Sequence, residues 1–312
     1  MSRKNEAKTV SLVLSSGGAR GLAHIGAIRC LEALGYVVRN VSGSSMGALV
    51  GGIYAAGQLD EFEPWVKALR RSDIVQLMDF GWLSGPGLLK GERIIEVLSK
   101  LVGEHQIEDL PLGFTAVATD LNRKREIWMS EGSLFDAIRA SMAIPMVFTP
   151  VRRGTQLLVD GAVLNPLPIA PTLSSHTDLT IAIDVNGLDK PPLNVRMSLD
   201  DRIDPPAVPE AEAEAEDAEA ADDSLRHAVS SFLSEWFTTP AEPDKGMLEV
   251  AMESMDAMQV SISRLKLSAY SPDVLVQVPR NIAHFFEFER ASELIQLGYD
   301  TTYEALSAPD RP

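Results

Sequence analysis

Hydrophobic and polar positions follow two rhythms along this chain, and their order predicts its elements. "TVSLVLSSGGARG" is an apolar run of about six residues and then a glycine turn, which predicts a strand followed by a helix over about 21–34. "YVVRNVSG" predicts a second strand that runs into a turn at Ser45, with a helix of small residues continuing to about Ala56. Across 61–100, short helical patterns surround a glycine-rich loop, "FGWLSGPGLLKGE". "GFTAVATD" and "REIWMSEG" read as two strands joined by a turn at Asn122–Arg123. "LFDAIRASMAI" reads as a helix stopped before Pro145, since the residue ahead of a proline is pushed out of helical conformation. "TQLLVDGA", "DLTIAIDV" and "DVLVQVP" are further strands. Residues 246–268 carry a helical repeat with Met252, Met255 and Met258 at three-residue steps, read as core or subunit packing in preference to a Met-rich ligand groove. There is no internal repeat. Strands alternating with helices of these lengths predict an α/β fold whose central sheet is mostly parallel and covered by helices on both faces.

Composition narrows the class. The chain has 312 residues, 45% of them hydrophobic and 23% charged, which suits a globular protein with a sizeable core. One cysteine, Cys30, excludes an intrachain disulfide and fits a reducing compartment; its helical surroundings mark it as core. The polar start "MSRKNEAKTV" carries no signal-peptide core, and no segment reaches the roughly 18–20 apolar residues of a membrane span. A cytoplasmic location is expected, with peripheral contact at the inner membrane face allowed.

The net charge of −16 excludes nucleic acid as a partner, because phosphate binding needs clustered lysine and arginine. Nine of the acids lie in 204–223, "DPPAVPEAEAEAEDAEAADD", which has no base and too few apolar residues for a core. This stretch is expected to be a disordered or loosely helical surface insertion within a single domain spanning 8–312.

The chemistry centres on "VSGSSMGALVGGIYAAG". In a strand–turn–helix setting, Gly43 and Gly47 two residues either side of Ser45 let strand and helix close around a strained serine, which becomes a candidate nucleophile. The first strand ends in "SSGGARG", so backbone N–H groups of Gly17, Gly18 and Ala19 are candidates for an oxyanion hole. A dinucleotide-binding reading of this loop needs a glycine where Ser16 stands and an acid ending the second strand, and neither is present. For a base there are two kinds of candidate. Asp160 ends a strand at the carboxyl edge of the sheet, while His176, His227 and His284 follow Ser45 in hydrolase-triad order but lack surrounding motifs. His24 and His105 precede those positions.

At these residues the chain resembles the patatin-like phospholipases, and within them the short stand-alone bacterial proteins akin to the neuropathy-target-esterase catalytic domain. Four blocks agree in order: "GGARG", "GSSMG", "RASMAIPMVFTPV" and "VDGAVLNPLP". The resemblance covers about residues 8–190 and is weaker beyond. It implies a patatin-like three-layer fold and a Ser–Asp dyad, Ser45 and Asp160, with no catalytic histidine. It also implies an oxyanion hole formed by the block Gly17–Gly21, including Arg20, and no metal or cofactor. The activity implied is hydrolysis of lipid acyl esters through an acyl-enzyme, phospholipid or lysophospholipid being the expected substrate. The rivals are a thioesterase or general carboxylesterase, and a non-catalytic lipid-binding regulatory protein. In 80–91, Trp82, Leu83, Leu88 and Leu89 are read as core or loop packing in preference to a mobile apolar lid that meets lipid.

Overall fold

The computed structural model describes residues 7–77, 89–188 and 247–307. The acidic stretch 204–223 and the lid candidates Trp82, Leu83 and Leu88 lie outside the described residues.

The chain begins with β1 (Thr9–Leu14), a 3-10 turn (Gly18–Leu22) and α1 (Ala23–Ala33), then β2 (Val37–Ser44) and α2 (Met46–Ala55). Helices α3 (Leu59–Ala68), α4 (Arg71–Leu77) and α5 (Glu92–Val102) follow. Next come β3 (Gly113–Asp120), β4 (Arg125–Met129), α6 (Leu134–Ser141), β5 (Val151–Arg153), β6 (Gln156–Asp160) and β7 (Leu179–Gly187). The described chain closes with α7 (Met247–Ala269), β8 (Val274–Pro279) and α8 (Ala291–Ser307). Each predicted strand and helix is present. Two elements were not predicted: the three-residue β5, too short to show a period, and α8. In α8 a glycine interrupts the repeat, because it lies against α1 so closely that a Cβ on Gly298 would stand 2.0 Å from the Ala23 carbonyl oxygen.

The sheet has the order β5-β6-β3-β2-β1-β7-β8, with β4 also on β3. Pairs β1–β2, β1–β7, β2–β3 and β7–β8 are parallel, and β3 pairs antiparallel with both β4 and β6. The registers explain how one strand has three neighbours. Ladder β2 covers Gly113–Val117 of β3, β6 covers Ala118–Asp120, and β4 occupies the opposite edge across both. Strands β2 and β6 therefore run head to head along one edge of β3. Ser44 is opposite Val117 and Asp160 is opposite Ala118, so the two strand ends meet.

β1 is buried on both faces, as a central parallel strand should be. Val10, Leu12 and Leu14 join the large core beneath α1, α2, α6 and α8. Val13 points to the other face, where Leu167, Ile169 and Ala182 pack with Leu267 and Tyr270 near the end of α7. Among the described residues that second cluster is the smaller. It is pinned by Lys266 Nζ on Glu126 Oε1 at 2.5 Å, which ties α7 to β4. Among the described residues no helix is long and apolar enough to cross a membrane.

Candidate active site

Ser45 follows β2 directly and caps α2 with φ 55° and ψ −121°. Positive φ is costly for a residue with a side chain, so the surroundings must impose it. They do so by close packing. A Cβ on Gly43 would stand 2.3 Å from the Gly47 carbonyl, and one on Gly47 would stand 2.2 Å from the Leu14 carbonyl oxygen. Only glycines at these two positions let the first turn of α2 press onto the ends of β1 and β2. The Ser45 N–H donates to Ser141 Oγ at 2.9 Å, and the Ser141 hydroxyl donates to the Val117 carbonyl at 2.6 Å. Ser45 is 2% exposed.

Asp160 is the last residue of β6 and is also 2% exposed. Its N–H donates to the Ala143 carbonyl at 2.9 Å, and its Oδ1 accepts the Ala162 N–H at 2.7 Å. The following Gly161 packs under the elbow; a Cβ there would meet the Val117 carbonyl oxygen at 2.2 Å and Ser44 Oγ at 2.6 Å. Burial pushes the Asp160 carboxyl up to about 7, while hydrogen bonding from the Ser45 hydroxyl and the Ala162 N–H pulls the other way. A carboxylate of that basicity, beside a serine hydroxyl, is suited to take its proton near neutral pH.

The glycine loop after β1 is held from three sides. Nε2 of the fully buried His24 donates to the Ser15 carbonyl at 2.8 Å. Burial pulls the His24 imidazole down to about 4, so it is neutral at physiological pH. Asn186 Nδ2 donates to the Ser16 carbonyl at 2.7 Å, and Arg20 Nε donates to the Gly17 carbonyl at 3.2 Å. Arg20 also reaches the Arg280 carbonyl and pairs with Asp256 Oδ1, each at 3.1 Å. The loop corrects one expectation: the Ala19 N–H donates to the Phe285 carbonyl at 2.9 Å, so Ala19 is not an available oxyanion donor. The first turn of the 3-10 segment, capped by Gly17, takes up the Arg20 N–H in its i→i+3 bond, so Arg20 acts on the loop through its side chain, as a brace. Gly17 and Gly18 remain the candidate donors.

Two cavities meet at Ser45. The smaller, about 400 Å³ and partly open to solvent, is lined by Gly17, Ser45 and Asp160, with Met252, Met255, Asp256 and Gln259 of α7 across from them. The larger, about 870 Å³, is apolar and runs from Ser45 past Leu22, Met46 and Leu49 to Phe62, Trp65, Leu98 and Phe148. Ile144 and Phe285 border both. Of the α7 methionines, Met252 packs against the cluster of Leu89, Ile144 and Val147, in line with the packing expectation, and it and Met255 also line the cavity, whereas Met258 is 57% exposed and is not core. Leu89 is buried and lines the apolar cavity.

His176 and His284 are exposed, and among the described residues no histidine lines either cavity. His227 lies outside the described residues. Sequence reasoning missed Ser141, Asn186, Phe285 and the cavity face of α7. Ser141 stands inside the quoted block "RASMAIP", and positions 252, 255, 256 and 259 share one helical face, but nothing local says what either touches.

Comparison with known proteins supplies relatives. The family description "Patatin-like phospholipase" matches residues 12–173. A protein of Mycobacterium tuberculosis named an uncharacterized NTE family protein is 37% identical, over 98% of this chain and 93% of its own. The protein named lysophospholipase NTE1 from Pyricularia oryzae is 29% identical over 98% of this chain, which spans 19% of that longer protein. Among solved structures, VipD from Legionella pneumophila has a TM-score of 0.44 at 15% identity, covering 96% of this chain and 67% of that one.

Proposed function

Since the chain belongs to the patatin-like phospholipase family, we propose that it hydrolyses carboxylic esters of phospholipid or lysophospholipid with a Ser45–Asp160 dyad. One observation carries this reading. A strained serine and a buried, basic carboxylate share one cavity, and the same serine opens onto a large apolar cavity that suits an acyl chain.

The reaction follows from these positions. With the acyl chain in the apolar cavity, Ser45 Oγ attacks the ester carbonyl carbon and its proton passes to Asp160. The negative charge that develops on the carbonyl oxygen is received by the N–H groups of Gly17 and Gly18 and by the N-terminal end of α2. Collapse of the tetrahedral intermediate breaks the bond to the alcohol oxygen, and Asp160 returns the proton to that leaving group. Ser45 is left acylated. A water then gives its proton to Asp160 and attacks the acyl carbon; collapse releases the fatty acid and restores the serine hydroxyl. The histidines take no part.

The test is covalent trapping. The protein is incubated with a fluorophosphonate and digested, and its peptides are weighed by mass spectrometry, alongside fatty-acid release from lysophosphatidylcholine vesicles. Modification at Ser45 with parallel loss of fatty-acid release supports the proposal. Unmodified Ser45 in a protein that still releases fatty acid would place the nucleophile elsewhere.

A further inference from the structure

We propose that Asn186 is a positioning residue that aims the oxyanion hole, an inference that rests on reading Ser45 as the nucleophile. In a trans peptide the C=O and the following N–H point in opposite directions, and the described chain has no cis bonds. Holding the Ser16 carbonyl therefore fixes the direction of the Gly17 N–H, and holding the Gly17 carbonyl fixes that of Gly18. Asn186 Nδ2 holds the first at 2.7 Å and Arg20 Nε the second at 3.2 Å. Gly17 lines the cavity with Ser45 and Asp160, whereas Asn186 and Arg20 do not. Both carbonyls bond to side chains that line neither cavity, so the opposed N–H groups are aimed back toward the serine: Gly17 lines the Ser45–Asp160 cavity, and Gly18 lines the apolar cavity that shares Ser45.

β7 is built to deliver this side chain. Its pairing with β8 is regular through Asp184 and shifts before Gly187, so Asn186 sits in an irregularity that re-aims a strand residue. The Asn186 N–H donates to Asp184 Oδ1 at 3.0 Å, which closes the turn. The neighbouring Val185 N–H donates to Ser15 Oγ, and the Ser15 hydroxyl adds a second hold on the Ser16 carbonyl, each at 3.0 Å. Asn186 is 7% exposed, about 140 residues from Ser45 in sequence, and belongs to none of the four blocks that identify the site.

The consequence is specific. Removing an oxyanion donor outright costs about 10²–10³ in kcat; loosening the peptide that carries it, with the Ser15 hydroxyl still in place, should cost about 10- to 100-fold. The test uses Asn186→Ala and the volume-matched Asn186→Leu in the full chain. Kinetics are measured on a soluble ester, and a ¹³C-carbonyl-labelled alkyl trifluoromethyl ketone is bound as a hemiketal on Ser45. The expected result is a kcat lower by about 10- to 100-fold with KM within about threefold, and a hemiketal whose oxygen, followed by its carbon shift, ionises at least about one pH unit higher than in the parent. One unit is the tenfold effect in another form. Folded variants whose hemiketal ionises at the parental pH, or whose kcat stays within threefold of the parent, would overturn the proposal. Should Ala and Leu both fail to fold, Ser15→Ala must raise the same ionisation, and an unshifted midpoint there overturns it equally. A parent that never forms the adduct on Ser45 would sink the nucleophile reading itself, an outcome the variants cannot mimic.

Discussion

The hydroxyl of Ser141 stands between the Ser45 N–H and β3: it accepts that N–H at 2.9 Å and donates its own proton to the Val117 carbonyl at 2.6 Å. A residue with φ 55° is thereby tied to the strand whose next rung carries Asp160. Ser141→Ala should leave two buried backbone groups short of a partner, at about 1–3 kcal/mol for an unsatisfied group. Urea denaturation should register that loss, and kcat on a soluble ester should fall by more than about tenfold, because the elbow relaxes. Full activity in Ser141→Ala would show that close packing alone holds Ser45.

Gly47→Ala should abolish activity. Its Cβ would stand 2.2 Å from a backbone oxygen of β1, so α2 must move and carry Ser45 with it. Gly35→Ala is the matched control: at φ +79° with no atom within 4 Å, it pays only the local strain of a left-handed residue, roughly 1–2 kcal/mol, and leaves kcat unchanged. Equal damage at the two positions, read by kcat and thermal melting, would reject the close-approach explanation.

Arg20 separates bracing from headgroup contact. Its guanidinium already holds the Gly17 and Arg280 carbonyls and Asp256. Arg20→Ala should therefore lower kcat by at least about tenfold on an uncharged soluble ester as well as on a phospholipid. Arg20→Lys should recover little, since one ammonium cannot reproduce a fork of three bonds. A defect confined to phosphate-bearing substrates would assign the side chain to the lipid instead.

The ionisation of Asp160 sets two pH dependences with the same origin. As the base it must be deprotonated, so kcat/KM should rise with pH through a midpoint near 7, the value to which burial pushes this carboxyl. For stability the sign is opposite. The folded state holds the proton more tightly than the unfolded chain, whose aspartate titrates near 3.8, so stability falls as pH rises from about 4 to 7 and the full penalty is present above 7. Asp160→Asn should accordingly melt higher than the parent at pH 8, and the gap should close toward pH 4. A variant that melts lower than the parent at pH 8 would show that the ionised carboxylate stabilises the fold.

Much of the site was legible because its geometry is imposed by local backbone contacts. Gly43, Gly47 and Gly161 are required where strand, helix and turn press together, and those glycines flank Ser45 and follow Asp160 in the sequence. The elements followed for the same reason: strands such as β3 and β7, buried on both faces, show as apolar runs, and the amphipathic α6 carries its period within one segment. What closes the site comes from far along the chain. Phe285 takes the Ala19 N–H that sequence assigned to the oxyanion hole, and α7 lays Met252, Met255 and Asp256 across from Ser45. Neither contact has a local signature. Asn186 was hidden for a related reason, since a strand residue reads as core or surface until an irregular register turns it.

The most direct measurement of the dyad is kcat on a soluble ester for Asp160→Asn beside the single variants His24→Gln, His176→Gln and His284→Gln, each checked for folding. Asp160→Asn should lose on the order of 10³-fold or more, because it removes the base from a unit whose members fail together. The exposed His176 and His284 should stay within about tenfold of the parent, roughly 1.4 kcal/mol of barrier. Any loss in His24→Gln should appear with lowered thermal stability, since that ring is buried against the Ser15 carbonyl. An Asp160→Asn protein within tenfold of the parent, or a folded histidine variant without activity, would contradict the Ser45–Asp160 account.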